Sequence, residues 1–207
     1  MDLINNLEWE YVTKKFDSSK KVSEKKIEQL KKVIQLSTSS YGLQLYKVLI
    51  IEEKILREKL KSASYNQNQI TEASHLILFC NYATVNESHI DEYFDLKYKT
   101  AQLNIANYKE YSDFIKKDIS TKSQIEKDKW TSNQTYIALE NLLNACAALK
   151  IDTCPMEGFN AEKYNEILNL TKQNLSTTVI ATVGYRSDKD SSQHSKKIRK
   201  PIENIFI

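Results

Sequence analysis

The residues best placed to do chemistry lie just past a long apolar stretch, in Asp152-Thr153-Cys154-Pro155-Met156-Glu157-Gly158-Phe159. The chain holds only three glycines and two prolines, and this segment uses one of each. Pro155 fixes its own φ and biases Cys154 toward extended backbone, while Gly158 permits conformations and close approaches that a Cβ would block. A rigid turn presenting bare backbone N–H groups suits the edge of a flat ligand; the plain alternative is an ordinary helix-to-strand connection. Other chemistries have less behind them. Cys80, Cys146 and Cys154 form no CxxC pair, and their odd number argues against both a disulfide framework and zinc spacing. His75, His89 and His194 are scattered, so no metal ligand set emerges. With glycine only at 42, 158 and 184, neither GxGxxG nor a Walker loop can be written, which excludes a Rossmann dinucleotide site.

The elements that must position these residues can be read from periodicity. A short helix leads into an extended piece, Val12 to Asp17, and Ser23 caps a helix with Ile27, Leu30 and Ile34 at helical spacing. Ser37 to Gly42 breaks that helix. Tyr46 to Ile51 is a strand, Lys54 to Ala63 a helix, and His75 to Cys80 a second strand, apolar on both faces and therefore central. Asp91 to Lys129 is helical and polar. Trp130 to Leu149 is a helix apolar almost all round, which must be covered within the domain or by a second subunit. Glu162 to Leu170 is helical, Ser176 to Val183 is a strand, and Arg186 to Ser195 reads as a polar, mobile connection. The end is basic, Lys196-Lys197-Ile198-Arg199-Lys200. The order is α+β, rich in helices.

Composition narrows the class. The 207 residues suffice for one domain with a real core, and 41% hydrophobic residues is a globular value. A net charge of +3 with acidic and basic residues intermixed reads as a solvated surface, not a nucleic-acid footprint. No apolar run approaches a membrane span, and Met1 to Asn5 lacks the features of a signal peptide. The expectation is a soluble cytoplasmic protein with no membrane or nucleic-acid partner.

Five pieces then line up in order. They are Glu10-Tyr11-Val12-Thr13-Lys14-Lys15-Phe16-Asp17, Ser39-Ser40-Tyr41-Gly42-Leu43-Gln44, Asn66-Gln67-Asn68-Gln69, Pro155-Met156-Glu157-Gly158-Phe159 and Lys197-Ile198-Arg199. In this order and spacing the chain resembles the nitroreductase family of FMN-dependent NAD(P)H oxidoreductases, in its oxygen-insensitive homodimeric form. The resemblance spans nearly the whole chain and is weakest from His89 to Lys129. It implies one nitroreductase-like domain over residues 1–207, with a variable helical excursion at about 90–129. It also implies a mixed or antiparallel sheet of about four to five strands surrounded by helices, in a homodimer with exchanged tails.

The resemblance gives each piece a role. Lys14 matches the lysine against flavin N1 and O2, where an ammonium stabilises charge gained on reduction. Backbone N–H groups of Glu157 and Gly158 match those facing O4 and N5, with Pro155 and Met156 shaping that turn. Asn66 matches an amide pairing with the pyrimidine edge. Tyr11, Val12 and Gln69 fall at cofactor-contacting positions. Lys197 and Arg199 match the cations that hold the phosphate, and Arg can do so in bidentate fashion. Ser39, Ser40, Gly42 and Gln44 match the segment that a second subunit lends to the phosphate and ribityl chain. Tyr108, Tyr111 and Phe114 are candidates for a lid. Taken without the family, Lys14 is equally a solvated lysine, and the basic tail is more often a solvated run.

Four positions depart from the family pattern. Glu10 stands where arginine is usual, Val12 where a small or hydroxyl residue is common, Gln69 where some relatives carry lysine, and Leu45 where proline usually follows Gln44. A carboxylate at position 10 is tolerable only if it turns away or pairs with Lys14, Lys197 or Arg199, and pairing is the favoured expectation. The implied activity is hydride transfer from NAD(P)H through flavin N5 to flat electron-poor acceptors (nitroaromatics, quinones, pteridines) in a ping-pong cycle. The alternative is a degenerate dimer that binds flavin weakly and acts as a binding or sequestering protein.

Overall fold

A computed structural model describes residues 3–101 and 108–207. Four strands, β1 (Tyr46–Ile51), β2 (His75–Tyr82), β3 (Asp152–Met156) and β4 (Leu175–Gly184), form one antiparallel sheet in the order β1-β2-β4-β3. β2 is central, as its two-sided apolar character predicts. Leu76, Leu78 and Cys80 point into one core and Ile77 and Phe79 into the other, all without solvent exposure. Period-two alternation with both sets apolar leaves the strand no face for water.

Helices cover both faces. On one, α3 (Lys54–Ser62), α4 (Gln69–Glu72) and α8 (Ala161–Ile167) supply Leu60, Ile70 and Tyr164 to the core with Phe16. On the other, α2 (Glu24–Gln35) packs Ile27, Leu30 and Ile34 beside Ala138, Leu139, Leu142 and Cys146 of α7 (Gln124–Ala148). α1 (Leu3–Trp9) runs against α7, and α5 (Glu87–Ala101) with α6 (Lys109–Ser120) forms a third core around Ile90, Phe94, Ile115 and Ile119. The part of the predicted excursion at 102–107 lies outside the described residues.

Three expectations need correction. Asp152–Met156 is a strand, and the turn comes after it. Pro155 pairs across to Ala181 at the sheet edge, where a missing N–H costs no ladder bond. The long helix begins at Gln124, before Trp130, because Ser123 and Glu126 make a capping box in which the Ser123 N–H donates to Glu126 Oε2 at 2.7 Å. Within this chain Thr131, Gln134 and Thr135 of that helix are buried, whereas Ile137 is 40% exposed on its outer face. Arg186 to Ser195 is no loose connection: Asp190 is only 2% exposed, and Ser187 and Asp190 bond to residues 11–15.

Candidate functional site

β3 is the strut that gathers the sequence-predicted pieces. Along its outer edge Val12 and Thr153 form a parallel bridge, and the Thr13 N–H donates to the Thr153 carbonyl at 3.0 Å. Past its end, Glu157 and Gly158 lie exposed at the turn. The Gln67 side-chain amide donates to the Gly158 carbonyl at 2.7 Å, joining the Asn66–Gln69 segment to that turn. Asn66 itself is exposed with a φ of 57, a left-handed conformation that asparagine tolerates better than most residues. Gln69 is buried. Gly158 does not adopt a positive φ; a Cβ there would stand 3.3 Å from the Gln67 Nε2, so the glycine serves close approach only.

The 10–15 segment is held from its other side by Asp190. Its Oδ2 accepts from the Lys14 N–H at 2.9 Å, the Lys15 N–H at 3.3 Å and the Tyr11 hydroxyl at 3.1 Å, and its Oδ1 accepts from the Ser192 N–H at 3.0 Å. Burial alone would raise this carboxyl, but the backbone N–H groups of Ser192, Lys14 and Lys15 and the Tyr11 hydroxyl outweigh it and hold the pKa below the usual range. A lowered folded-state value means that its stabilisation is complete above the unfolded pKa of about 4 and is lost as pH falls through the folded one. Arg186 stacks between Trp9 and Tyr11, 4.5 and 4.4 Å from their ring centroids, and pairs with Asp152 at 2.5 Å. Buried or half-buried groups thus fix the backbone, while Lys14, Glu157 and Gly158 face solvent.

Beside this strand is a cavity of about 380 Å³, lined by Trp9, Glu10, Val12, Arg186, Lys197 and Arg199 among others. Glu10 pairs with Lys197, Oε1 to Nζ at 3.3 Å, and the same ammonium donates to the Leu7 carbonyl. Of the three cations open to Glu10, the structure selects Lys197. Arg199 donates to the neighbouring Ile198 carbonyl at 2.8 Å and stays exposed.

Ser39 to Gln44 makes its contacts elsewhere. The Ser40 N–H donates to Gln134 Oε1 at 2.8 Å, the Gln44 N–H to Ser39 Oγ at 2.8 Å, and the Gln44 side chain to the Gln35 carbonyl at 2.9 Å. Gly42 has a φ of 75 and lies so close to Tyr93 that a Cβ would meet its hydroxyl at 2.8 Å. Near it the aromatic residues of α5 and α6 cluster, with Tyr111 stacked parallel to Phe114 and Tyr108 beneath the Lys97 ammonium. Tyr111 and Phe114 are exposed.

Sequence reasoning missed Asp190, Arg186, Gln67 and Tyr136. The Tyr136 hydroxyl on α7 donates to Glu157 Oε1 at 2.7 Å; burial first, then the Glu157 carboxylate, push its pKa up to about 12, so it remains a donor at any ordinary pH. Gln67 lay inside a quoted motif without a role. Nothing local marks the others, because their partners are up to 179 residues away.

The sequence matches the Nitroreductase family over residues 9–185, and this chain belongs to that family. A Haemophilus influenzae protein named as an NAD(P)H nitroreductase is 36% identical over 93% of this chain and 90% of its own length. The fold is shared with a nitroreductase structure from Bacillus subtilis at a TM-score of 0.89 and 19% identity, covering 99% of this chain and 97% of that one. A structure from Exiguobacterium sibiricum, solved in complex with FMN, gives a TM-score of 0.85 at 17% identity over 100% and 97% of the two chains. Among the described residues no helix is long and apolar enough to cross a membrane, and no group of three or more His, Cys, Asp or Glu could hold a metal ion.

Proposed function

We propose that this chain is an FMN-dependent NAD(P)H oxidoreductase that passes hydride to flat, electron-poor acceptors such as nitroaromatics, quinones or pteridines. The observation that carries the reading is that the segment holding Lys14 is bridged to β3 through Val12 and Thr13, that Gln67, next to Asn66, is bonded to the Glu157–Gly158 turn at its end, and that Lys197 and Arg199 line the neighbouring cavity. The donor set fits the cofactor. Lys197 and Arg199 offer cations to a phosphate, and the exposed turn at Glu157 and Gly158 offers backbone to a ring edge. Bound FMN would supply the centre that accepts and releases hydride. Lys14 places a positive charge at the pyrimidine end, where charge builds up on reduction. Asn66 offers a donor and an acceptor to the same edge. Tyr111 and Phe114 present exposed rings against which a planar partner can stack. NAD(P)H and acceptor use one face in turn, a ping-pong order in which orientation does more than hydrogen bonding to select the acceptor. An absorbance spectrum of the purified protein tests this: flavin bands at close to one FMN per subunit, bleached anaerobically by NADH or NADPH, are expected, and a colourless protein that takes up no added FMN overturns the reading.

The active form is proposed to be a homodimer. Ser39 to Gln44 makes its contacts away from Lys14, as expected of a segment lent to a partner's site. Among the described residues β1 also leaves one edge unpaired.

Glu10 in the usual arginine position then has a constructive role. Lying 3.3 Å from Lys197, it orients an ammonium that the cofactor phosphate shares. Glu10→Arg removes the pair and sets two cations side by side, at a cost of roughly 4 kcal/mol at 4 Å and an effective dielectric of 20, or about 1 in water. The added charge and the lost pairing offset each other. Titration of apo-protein with FMN is expected to show affinity within about tenfold of wild type, a span of about 1.4 kcal/mol. A tightening well beyond tenfold would show Glu10 to be a defect.

A further inference from the structure

We infer that Asp190 is a positioning residue for Lys14, one whose buried carboxylate sets the lysine's backbone and ties it to the segment leading to Lys197 and Arg199. The inference rests on the reading of Lys14 as the cation at the flavin's pyrimidine end. Three observations carry it. First, Asp190 is 2% exposed yet charged, and both of its oxygens are spent: three donors from residues 11–15 converge on Oδ2, and the Ser192 N–H takes Oδ1. A buried carboxylate holding backbone N–H groups makes charge-assisted bonds about twice as strong as neutral ones.

Second, the strand it grips needs outside support. Lys14 lies between Val12, which bridges to Thr153, and Phe16, which bridges to Arg186, and both bridges are isolated. Asp190 is what fixes the Lys14 and Lys15 amides in the gap between them. Third, the clamp is reciprocal. The Ser187 N–H donates to the Lys15 carbonyl at 3.0 Å, the Asp190 N–H to the Ser187 carbonyl at 2.9 Å, and Asp190 caps the short turn at Ser191–His194. That turn runs straight into Ser195, Lys196 and Lys197. One carboxylate therefore couples the cation proposed for the ring to the cations proposed for the phosphate, although 183 residues separate Lys14 from Lys197.

The two obvious variants remove different parts of the clamp. Asp190→Ala removes every bond made by the carboxylate and leaves the backbone bond to Ser187. Asp190→Asn keeps one oxygen acceptor for the Lys14 side but turns an NH2 toward the Ser192 N–H, and it loses the charge. The midpoint potential of bound flavin is measured for wild type, both variants, Lys14→Met and the two double mutants; amide exchange at Lys14 and Lys15 is followed in the same proteins. Lys14→Met is expected to shift the oxidised-to-reduced equilibrium about a hundredfold toward oxidised, which for a two-electron couple is a potential lower by about 60 mV. Asp190→Ala should reproduce most of that shift and Asp190→Asn a smaller shift of about tenfold, with neither adding a further shift in the Lys14→Met background, the signature of one residue acting through another. Exchange at the Lys14 amide should rise at least tenfold in Asp190→Ala. If Asp190→Ala does not fold, Asp190→Asn carries the same comparison. A potential shift that persists without Lys14, or faster exchange with no shift, overturns the inference and leaves the reading of Lys14 standing. An unchanged potential in Lys14→Met overturns both.

Discussion

Replacing Lys14 by Met is expected to slow flavin reduction by NAD(P)H about a hundredfold while changing FMN affinity by less than tenfold. The difference follows from when the charge appears. Oxidised flavin is neutral at its pyrimidine end, so an ammonium there contributes little to binding, whereas hydride brings negative charge that it can stabilise. Interactions present mainly in the transition state and product raise the rate without tightening the ground state. Removing one preorganised donor from developing negative charge costs about 3–4 kcal/mol, which corresponds to a factor of about 100–1,000 in rate. Methionine keeps the length of the side chain and its packing without the charge. The Lys14 backbone is held by Asp190 and the neighbouring Thr13 by β3, so the substitution should leave the strand in place. Anaerobic stopped-flow reduction, set beside FMN titration, measures both quantities on the same protein. Equal losses in rate and affinity, or no change in either, would place Lys14 elsewhere.

Truncation after Lys200 is expected to raise the dissociation constant of the proposed dimer at least a thousandfold and to strip most of the bound FMN. The last residues have no reason to be apolar in a free tail, yet Ile202, Ile205 and Phe206 are 72%, 59% and 69% exposed. The unpaired edge of β1 and the groove between β1 and α2 offer them a place. That groove holds two cavities of about 530 and 420 Å³, both lined by Lys31 and Ile50, the larger also by Glu24, Glu28 and Glu52. Those carboxylates are opposite in charge to a tail that is basic at Lys196, Lys197, Arg199 and Lys200. Burying three such side chains stabilises association by roughly 5–9 kcal/mol, and each 1.4 kcal/mol is worth about tenfold. Lys197 and Arg199 remain in the truncated chain, so loss of FMN would report loss of the partner's Ser39–Gln44 segment. Sedimentation and flavin content give the answer together: a truncated protein that stays dimeric, or a stable flavin-loaded monomer, would defeat the proposal.

Much of the molecule is determined locally and was therefore legible in the chain. β1 spans Tyr46–Ile51 as its pattern predicts, Ser23 caps α2, and β2 is central because it is apolar on both faces. Such features depend on side-chain period and on caps a few residues apart, which the sequence carries directly. The five motifs point to the family for the same reason, since each is a short run of specified residue types. What joins them was not legible. Pro155 reads as the corner of a turn and is instead an edge-strand residue, because only the pairing with Ala181 shows that its missing N–H faces away from the ladder. Arg186 to Ser195 reads as a loose polar loop and instead braces the 11–15 segment, because three of the donors that satisfy Asp190 come from Tyr11, Lys14 and Lys15. Glu10 could have turned to any of three cations, and tertiary structure gave it Lys197. A carboxylate's partners are chosen by proximity in space, and a polar residue looks the same in sequence whether water or a buried amide receives it.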